Sequence, residues 1–205
     1  MGKKSIVIYG AGGHGKMVAD AAIAQGEYEV AGFIDDSASG SVMDLPVLGS
    51  AIPEGIDGAI VGVGDPLVRS KLQKKVKDAG ITIVSVVHPT ATVCSGVTIG
   101  EGTVVMPQAV VGVDTVLGVG CIINTDATVD HDSTIGDFAH ISPGAHLAGE
   151  VHIGANTQVG IGSSVKEGVK IGSNSIIGAG SAVVSDIEDG CIAYGTPAKK
   201  VSENA

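Results

Sequence analysis

The feature that most constrains this chain is an aliphatic residue repeated every six positions. All sixteen positions of the series hold Val, Ile or Leu, with no change of phase: Val93, Ile99, Val105, Val111, Leu117, Ile123, Val129, Ile135, Ile141, Leu147, Ile153, Val159, Val165, Ile171, Ile177 and Val183. A second series, two residues earlier, holds only small residues or Val. Helices and ordinary strands have periods of 3.6 and two residues, so neither explains this pattern.

A triangular coil of stacked rungs does explain a period of six. Each unit supplies a short strand and a turn, three units close one coil, and about five coils stack ~4.8 Å apart. The branched residues fill the interior, and the small residues fit near the corners. Gly follows the aliphatic residue in eight units, as in Ile99-Gly100. We expect these glycines to give the backbone freedom at the bends.

Charge and composition exclude several functional classes. Twelve basic residues against 22 acidic ones give a net charge of −10, without the basic footprint of a nucleic-acid binder. No apolar run reaches the ~18 residues of a membrane span, and residues 1–5 lack a signal-peptide cleavage site. Cys94, Cys121 and Cys191 are widely spaced and form no CxxC pair. They predict reduced thiols and a cytoplasmic protein.

The first 87 residues alternate between strand-like and helix-like segments. Strands are predicted at 5–9, 28–34, 58–63 and 81–87, with helices at 17–25 and 67–79. This alternation predicts a parallel sheet covered by helices. We therefore expect two domains, an α/β domain at 1–87 and a coil of repeats with a C-terminal tail at 88–205.

A glycine-rich loop follows the first predicted strand. Gly10, Gly12 and Gly15 fit the pattern G-x-G-x-x-G, and Asp35 lies 20 residues after Gly15. Bare amides at a helix N-terminus receive a phosphate or diphosphate. A dinucleotide site needs two mononucleotide halves, whereas this chain has room for one Rossmann-like half-domain. The loop thus predicts a nucleotide diphosphate; NAD and a purely structural turn stay open as alternatives.

Three histidines share one position in the repeat. His140, His146 and His152 each precede an interior aliphatic residue. Residues six apart lie on neighbouring faces of the prism, and only residues 18 apart stack. These side chains cannot converge on one ion within a chain, so we expect no metal. A zinc hydratase that gathers its histidines across a trimer interface, as in γ-carbonic anhydrases, stays open as an alternative.

His131 differs from the other histidines in its surroundings. It lies at a corner of the coil between Asp130 and Asp132, and a neighbouring carboxylate raises the pKa of an imidazole. Such a base could take a proton from an amine or hydroxyl that attacks an acyl donor. Gly149, one coil along, leaves space and a bare amide beside the ring. The alternative is an exposed corner histidine without a catalytic role.

Five features occur in order along the chain: Gly10-Ala-Gly-Gly-His-Gly, Asp35-Asp36, the uninterrupted repeats, Asp130-His-Asp132 and Gly195-Thr-Pro-Ala-Lys199. With them the chain resembles, over essentially its whole length, the PglD/NeuD-type sugar acyltransferases of bacteria. The resemblance implies a Rossmann-like half-domain followed by a left-handed parallel β-helix, and a homotrimer. It also implies direct acetyl transfer from acetyl-CoA to the 4-amino group of a UDP-linked amino sugar.

The resemblance also assigns roles to residues. His131 is implied as the general base, with Asp132 polarising it. Residues implied to contact acetyl-CoA are His140, Gly149, Gly178 and Lys199, and those implied to line the nucleotide-sugar pocket are Gly12, Gly13, His14, Asp35, Asp36 and Gly64. The alternatives are acetylation of GDP-perosamine, O-acetylation of sialic acid or a related sugar, and a non-catalytic nucleotide-binding trimer.

Overall fold

A four-stranded parallel sheet forms the first unit of the computed structural model, which describes residues 2–204. The strand order is β2-β1-β5-β6. The elements of this unit are β1 (Lys4–Tyr9), α1 (Gly13–Gln25), β2 (Tyr28–Ile34), β3 (Ser41–Val42), β4 (Leu45–Pro46), β5 (Gly58–Val61), α2 (Pro66–Asp78) and β6 (Thr82–Ile83). The predicted α/β unit is confirmed. Helix α1 begins four residues earlier than predicted, because Gly12 caps it and the glycine-rich segment forms its first turn.

The topology of this sheet creates a crevice at one edge. Strand β1 lies between β2 and β5, so the chain leaves β1 first to one side and later to the other. Ligands of open parallel sheets bind outside the carboxyl ends of the strands at such a switch point. The loops at residues 10–12, 35–36 and 62–65 all follow carboxyl ends of these three strands.

The repeats form a coil with three parallel sheets as its faces. The first face contains β7 (Val86–Val87), β10 (Val104–Val105), β13 (Ile122–Ile123), β16 (His140–Ile141), β19 (Gln158–Val159) and β22 (Ile176–Ile177), and is extended by β24 (Cys191–Gly195) and β25 (Ala198–Glu203). The second face contains β8 (Thr92–Val93), β11 (Val110–Val111), β14 (Thr128–Val129), β17 (His146–Leu147), β20 (Ser164–Val165) and β23 (Ala182–Val183). The third contains β9 (Thr98–Ile99), β12 (Val116–Leu117), β15 (Thr134–Ile135), β18 (His152–Ile153) and β21 (Lys170–Ile171).

Strands 18 residues apart pair within each face, as the period predicts. Ile122 pairs with His140 and Ile123 with Ile141, for example. The aliphatic second residue of each strand points inward, and most members of this series are buried in one core. Hydroxyls of the small-residue series are satisfied inside the coil: Thr103 Oγ1 donates to the Gly118 carbonyl at 2.8 Å. Among residues 2–204, no buried side-chain nitrogen or oxygen inside the coil lacks a hydrogen-bond partner.

The coil begins earlier than predicted. The predicted strand 81–87 is two strands: β6 completes the N-terminal sheet, whereas β7 pairs with β10 of the coil. The faces hold six, six and five strands before β24, so the coil has nearly six turns instead of five.

The predicted reason for the eight glycines after the aliphatic residues is wrong. None of them has a left-handed φ. A Cβ at Gly112 would lie 2.6 Å from the His131 nitrogen, and one at Gly136 would lie 2.6 Å from the Ala155 nitrogen. These glycines allow successive coils to approach closely. Left-handed φ angles occur two residues later, at Gly, Asn or Asp and also at Phe138.

The N-terminal unit packs on the first three strands of the first face. The outward residues there are Val86, Val104 and Ile122, each at most 1% exposed, and they share a core with Ile8 and Val18. Burial of an aliphatic side chain contributes roughly 1.5–3 kcal/mol. The next two outward positions of this face hold the polar residues His140 and Gln158, and a cleft opens there between the units. Among the described residues, no helix combines the length and apolar character needed to span a bilayer.

Candidate active site

His131 lies on the edge of the prism where the second face turns into the third. Its Nδ1 is 2.8 Å from Asp132 Oδ2. A carboxylate only accepts, so Nδ1 carries the proton and Nε2 keeps a free lone pair. Asp132 has a left-handed φ of 55°, and its N–H donates to the Val113 carbonyl at 2.9 Å. The turn that bends the chain thereby also places the carboxylate against the imidazole.

The surroundings of His131 make it a stronger base than a free histidine. The hydrogen bond to Asp132 is the largest effect and raises the pKa of His131; desolvation opposes it, and the charges of Asp130, Asp132 and Glu150 raise the pKa further. The side chain is 51% exposed. A ring with Nε2 open to solvent and an elevated pKa can accept a proton from an incoming nucleophile.

Gly149 lies one coil along from His131 and is buried beneath its ring. A Cβ at this position would lie 2.5 Å from both Cε1 and Nε2 of the imidazole, so only glycine accommodates the observed ring position. Within residues 2–204 the Gly149 N–H makes no hydrogen bond to the protein. It is thus available to an oxyanion next to the base.

The glycine-rich loop presents open amides at the start of α1. Gly12 and Gly13 have no atom within 4 Å of an added Cβ, and α1 has no side-chain cap. The Asp35 carboxylate braces this loop, since it accepts hydrogen bonds from the Ala11 N–H and from three donors of the segment after β2. Those bonds, the one from Ala11 foremost, hold the pKa of Asp35 well below its usual range.

Asp35 therefore has a supporting role in this structure. Three donors meet at Oδ1, whereas Oδ2 accepts only the Ala11 N–H and keeps a free acceptor site, so the contact of Asp35 with the nucleotide sugar stays a prediction. Asp36 is exposed, and its charge acts on Lys75. A contact of Asp36 with the nucleotide stays a prediction.

His14 and His140 meet where the two units join. Their ring centroids are 6.3 Å apart. Burial, together with the positive charge of Arg69, lowers the pKa of His14 to about 4 and that of His140 to about 3. Both rings are therefore neutral at physiological pH. His14 Nε2 is buried and has no hydrogen-bond partner within residues 2–204.

Asn124 fixes the tautomer of His140. Its Oδ1 accepts the Thr125 N–H at 2.8 Å, so its Nδ2 is the atom that faces His140 Nε2 at 3.0 Å. The amide donates to Nε2, which leaves the ring proton of His140 on Nδ1.

A cavity of about 770 Å³ lies between the units beside His140. Its lining includes Gly64 and Leu67 from the N-terminal unit and Asn156, Gln158 and Asn174 from the coil. The Asn156 Nδ2 donates to the Asn174 Oδ1 at 3.0 Å. The volume and the few convergent amides are those of a small-molecule site that can bind hydroxyls and phosphates.

The predicted site residues form two separate groups within one chain. His131, Asp132 and Gly149 share one edge, whereas His14, Gly64 and His140 lie at the first face, opposite that edge. The remaining predicted nucleotide residues lie at the carboxyl edge of the N-terminal sheet: Gly13 is the first residue of α1, and Gly12, Asp35 and Asp36 are in loops.

The two predicted acetyl-CoA contacts near the C-terminus lie at the end of the coil. A Cβ at Gly178 would lie 2.7 Å from Tyr194 Cβ, so this glycine allows β24 to pack on the last coil. Lys199, on β25, lines a cavity of about 310 Å³ together with Lys200. Contacts of Gly178 and Lys199 with acetyl-CoA stay predictions.

The three repeated histidines lie on three different faces. His140, His146 and His152 belong to β16, β17 and β18, one in each sheet. Within the described residues, no group of three or more His, Cys, Asp and Glu side chains could hold a metal ion.

The residues that shape the cleft belong to no sequence motif: Arg69, Asn124, Asn156, Gln158 and Asn174. Arg69 did offer one signal, since it is the single arginine of the chain.

Comparison with known proteins supports this arrangement of units. Residues 5–76 match the model of the PglD N-terminal domain, and residues 150–184 match that of the bacterial transferase hexapeptide, six repeats. The UDP-N-acetylbacillosamine N-acetyltransferase of Bacillus subtilis is 35% identical over 111 residues. That match covers 49% of this chain and only 50% of that relative.

Two solved structures match nearly the whole chain. The acetyltransferase domain of PglB from Neisseria gonorrhoeae, in complex with acetyl coenzyme A, is 42% identical with a TM-score of 0.92, and the match covers 98% of this chain and 100% of that one. PerB from Caulobacter crescentus, in complex with CoA and GDP-perosamine, is 38% identical with a TM-score of 0.93 and 97% of both chains covered. The coil is thus a left-handed β-helix. This chain belongs to the PglD-type family of hexapeptide-repeat sugar acetyltransferases.

Proposed function

We propose that this protein transfers the acetyl group of acetyl-CoA to the amino group of a nucleotide-linked amino sugar, with His131 as the general base. The observation that carries the proposal is the edge where Nδ1 of His131 is tied to Asp132 while Nε2 stays free beside the bare Gly149 N–H. The relatives support the substrate class, since they include an N-acetyltransferase named for a UDP-sugar and complexes with acetyl-CoA and GDP-perosamine.

The chemistry is a direct transfer. The neutral amine attacks the thioester carbonyl carbon, and His131 Nε2 takes the proton that the nitrogen loses. The oxygen of the tetrahedral intermediate gains negative charge, which the Gly149 N–H stabilises. The C–S bond then breaks, and the imidazolium returns its proton to the sulfur of CoA. No acyl-enzyme is required: Cys121 is buried and its thiol pKa is raised to about 12, chiefly by burial.

The acceptor is held by the N-terminal unit. The amides at residues 12–14 bind the diphosphate at the N-terminus of α1, where the helix dipole favours an anion. The sugar extends into the cavity beside His140, whose neutral ring and neighbouring amides can bind its polar groups.

The arrangement favours a homotrimer with composite sites. The N-terminal unit covers the first face, opposite the edge that carries His131, so it cannot deliver a sugar to its own His131. We propose that each site combines the cavity of one protomer with the His131 edge of its neighbour, and that acetyl-CoA lies in the groove between the β-helices of these two protomers. The three free thiols suit a reducing compartment such as the cytoplasm.

The favoured acceptor is a UDP-linked 4-amino-4,6-dideoxy sugar. GDP-perosamine is the second candidate. PerB is 38% identical over 97% of this chain, whereas the Bacillus enzyme is 35% identical over 49% of it.

Release of the CoA thiol tests the proposal. Purified protein is given acetyl-CoA with a UDP-4-amino sugar, GDP-perosamine or free sialic acid, and a reaction without acceptor measures background hydrolysis. We expect release that depends on an amino sugar and a product that gains one acetyl group by mass spectrometry. Release with sialic acid alone would move the activity to O-acetylation, and release with none of the acceptors would refute the proposal.

A further inference from the structure

Arg69 is the most deeply buried charged side chain described in the molecule, at 1% exposure. Its guanidinium donates to four backbone carbonyls. Nε donates to Gly120 at 2.7 Å, one terminal nitrogen to Val63 and Gly64 at 3.0 and 2.6 Å, and the other to Phe138 at 2.5 Å. Two acceptors belong to the loop after β5 and two to turns of successive coils, so one side chain joins the two units.

A buried arginine at position 69 costs free energy, and a lysine could not replace all of its hydrogen bonds. Burial of a charge without an opposite charge in contact is unfavourable, and here it lowers the pKa of Arg69 to about 10, which still leaves the group charged at neutral pH. The chain uses lysine for its eleven other basic residues, yet it uses arginine here. Only a guanidinium presents several donors in a rigid fork.

Helix α2 continues this contact along the edge of the coil. Gln73, four residues after Arg69, donates from Nε2 to the Glu101 carbonyl at 3.3 Å. Lys77, four residues further, forms an ion pair with the Glu101 side chain. Arg69 thus contacts the turns at Gly120 and Phe138, and the next two turns of α2 both contact Glu101, one coil before Gly120.

The segments that Arg69 joins line opposite sides of the cavity. Gly64 lies in its wall and is followed by the start of α2. Phe138 lies two residues before His140 and has a left-handed φ of 59°, which is unusual for a bulky residue and needs external support. The hydrogen bond from Arg69 to the Phe138 carbonyl supplies such support.

We propose that Arg69 is a positioning residue that sets the width and shape of the acceptor-sugar cavity by tying the loop at residues 63–64 to the Phe138 turn before His140. This inference rests on the proposed function, since the cavity is taken to hold the amino sugar. The proximity of Arg69 to His140 in the cavity wall and to the neighbouring His14 supports it, since the charge of Arg69 lowers the pKa of each ring.

The test compares R69K and R69M with K71M, a control at an exposed lysine on the same helix. Steady-state kinetics give separate KM values for the nucleotide sugar and for acetyl-CoA, and thermal melts confirm folding. We expect the KM for the nucleotide sugar to rise about tenfold or more in R69K, because a lysine ammonium can replace only some of the four hydrogen bonds that the guanidinium makes. The KM for acetyl-CoA should stay within twofold of wild type. R69K keeps the charge, so it gives a folded variant even where R69M does not fold.

A second readout separates this inference from the proposed function. Amide NMR resonances of Gly64 and His140 are expected to shift in R69K and to stay in place in K71M, whether or not any acceptor is turned over. Unchanged resonances, an unchanged acceptor KM, or equal increases in both KM values would overturn the role of Arg69. A wild-type protein that acetylates no amino sugar would refute the proposed function while the NMR comparison still decides the role of Arg69.

Discussion

Replacement of Gly149 by alanine tests the packing of the catalytic edge. The added Cβ would lie 2.5 Å from Cε1 and Nε2 of His131, whereas ordinary contacts begin at 3.4 Å. The ring must therefore move by about 0.9 Å. Gly149 does not have a left-handed φ, so the alanine introduces no backbone strain of its own. The substitution displaces the base and leaves its chemical identity intact.

The size of the effect follows from that displacement. A misplacement of about 1 Å in a catalytic group can cost about 100-fold in rate, and we expect a fall in kcat of that order. Stability should change little, because the displaced ring is half exposed and can move into solvent.

The assay is CoA release at saturating acetyl-CoA and amino sugar, with S95A as the control. Ser95 is an exposed residue on the same edge, two coils or about 10 Å from His131. We expect S95A to retain the wild-type rate. A kcat of G149A within threefold of wild type, in a variant with unchanged melting temperature, would refute the reasoning.

Three further predictions follow from the same groups. In D132N the pKa of His131 falls, because the hydrogen bond that raises it is weakened; the acidic limb of the pH–rate profile should move to lower pH and the plateau should fall at least about tenfold. In the folded protein the pKa values of His14 and His140 are about 4 and about 3, below the ordinary 6.5, so the stability that these rings contribute above pH 6.5 is lost as the pH falls toward 4, at up to about 1.4 kcal/mol per pH unit for each ring. The free energy of unfolding, measured by chemical denaturation between pH 7 and 4, should fall less steeply in H140N than in wild type. An equal fall would contradict the assignment. Inactive H131N and H140A proteins, mixed and reassembled, should regain up to about a quarter of wild-type activity if each site draws the two residues from different protomers of a trimer; no recovery in confirmed mixed trimers would place both residues in one chain's site.

The repeat could be predicted because a period of six leaves few alternatives. Each interior position must hold a branched residue, and no other architecture places residues 18 apart in register. The neighbours of His131 could be predicted from the same period, because one coil has 18 residues and residue 149 therefore stacks on residue 131. The reason for the glycines after the aliphatic residues was misjudged, because a sequence does not reveal how closely two backbones approach.

The joint between the units could not be predicted in the same way. Val86, Val104 and Ile122 look like ordinary strand residues, and only the pairing places them side by side beneath the N-terminal unit. Arg69 contacts backbone carbonyls, which carry no sequence signature. The spacing of Asp35 from the glycines does not reveal the four hydrogen bonds by which its carboxylate braces the glycine-rich loop, and its contact with the nucleotide sugar stays a prediction.

The central claim is that His131 removes the proton from the attacking amine. Its most direct test is the rate of acetyl transfer by H131N with an amino sugar that the wild-type protein accepts, measured together with CoA affinity. If His131 is the base, kcat falls about 100-fold or more while CoA affinity stays unchanged. Wild-type turnover by H131N would contradict the claim.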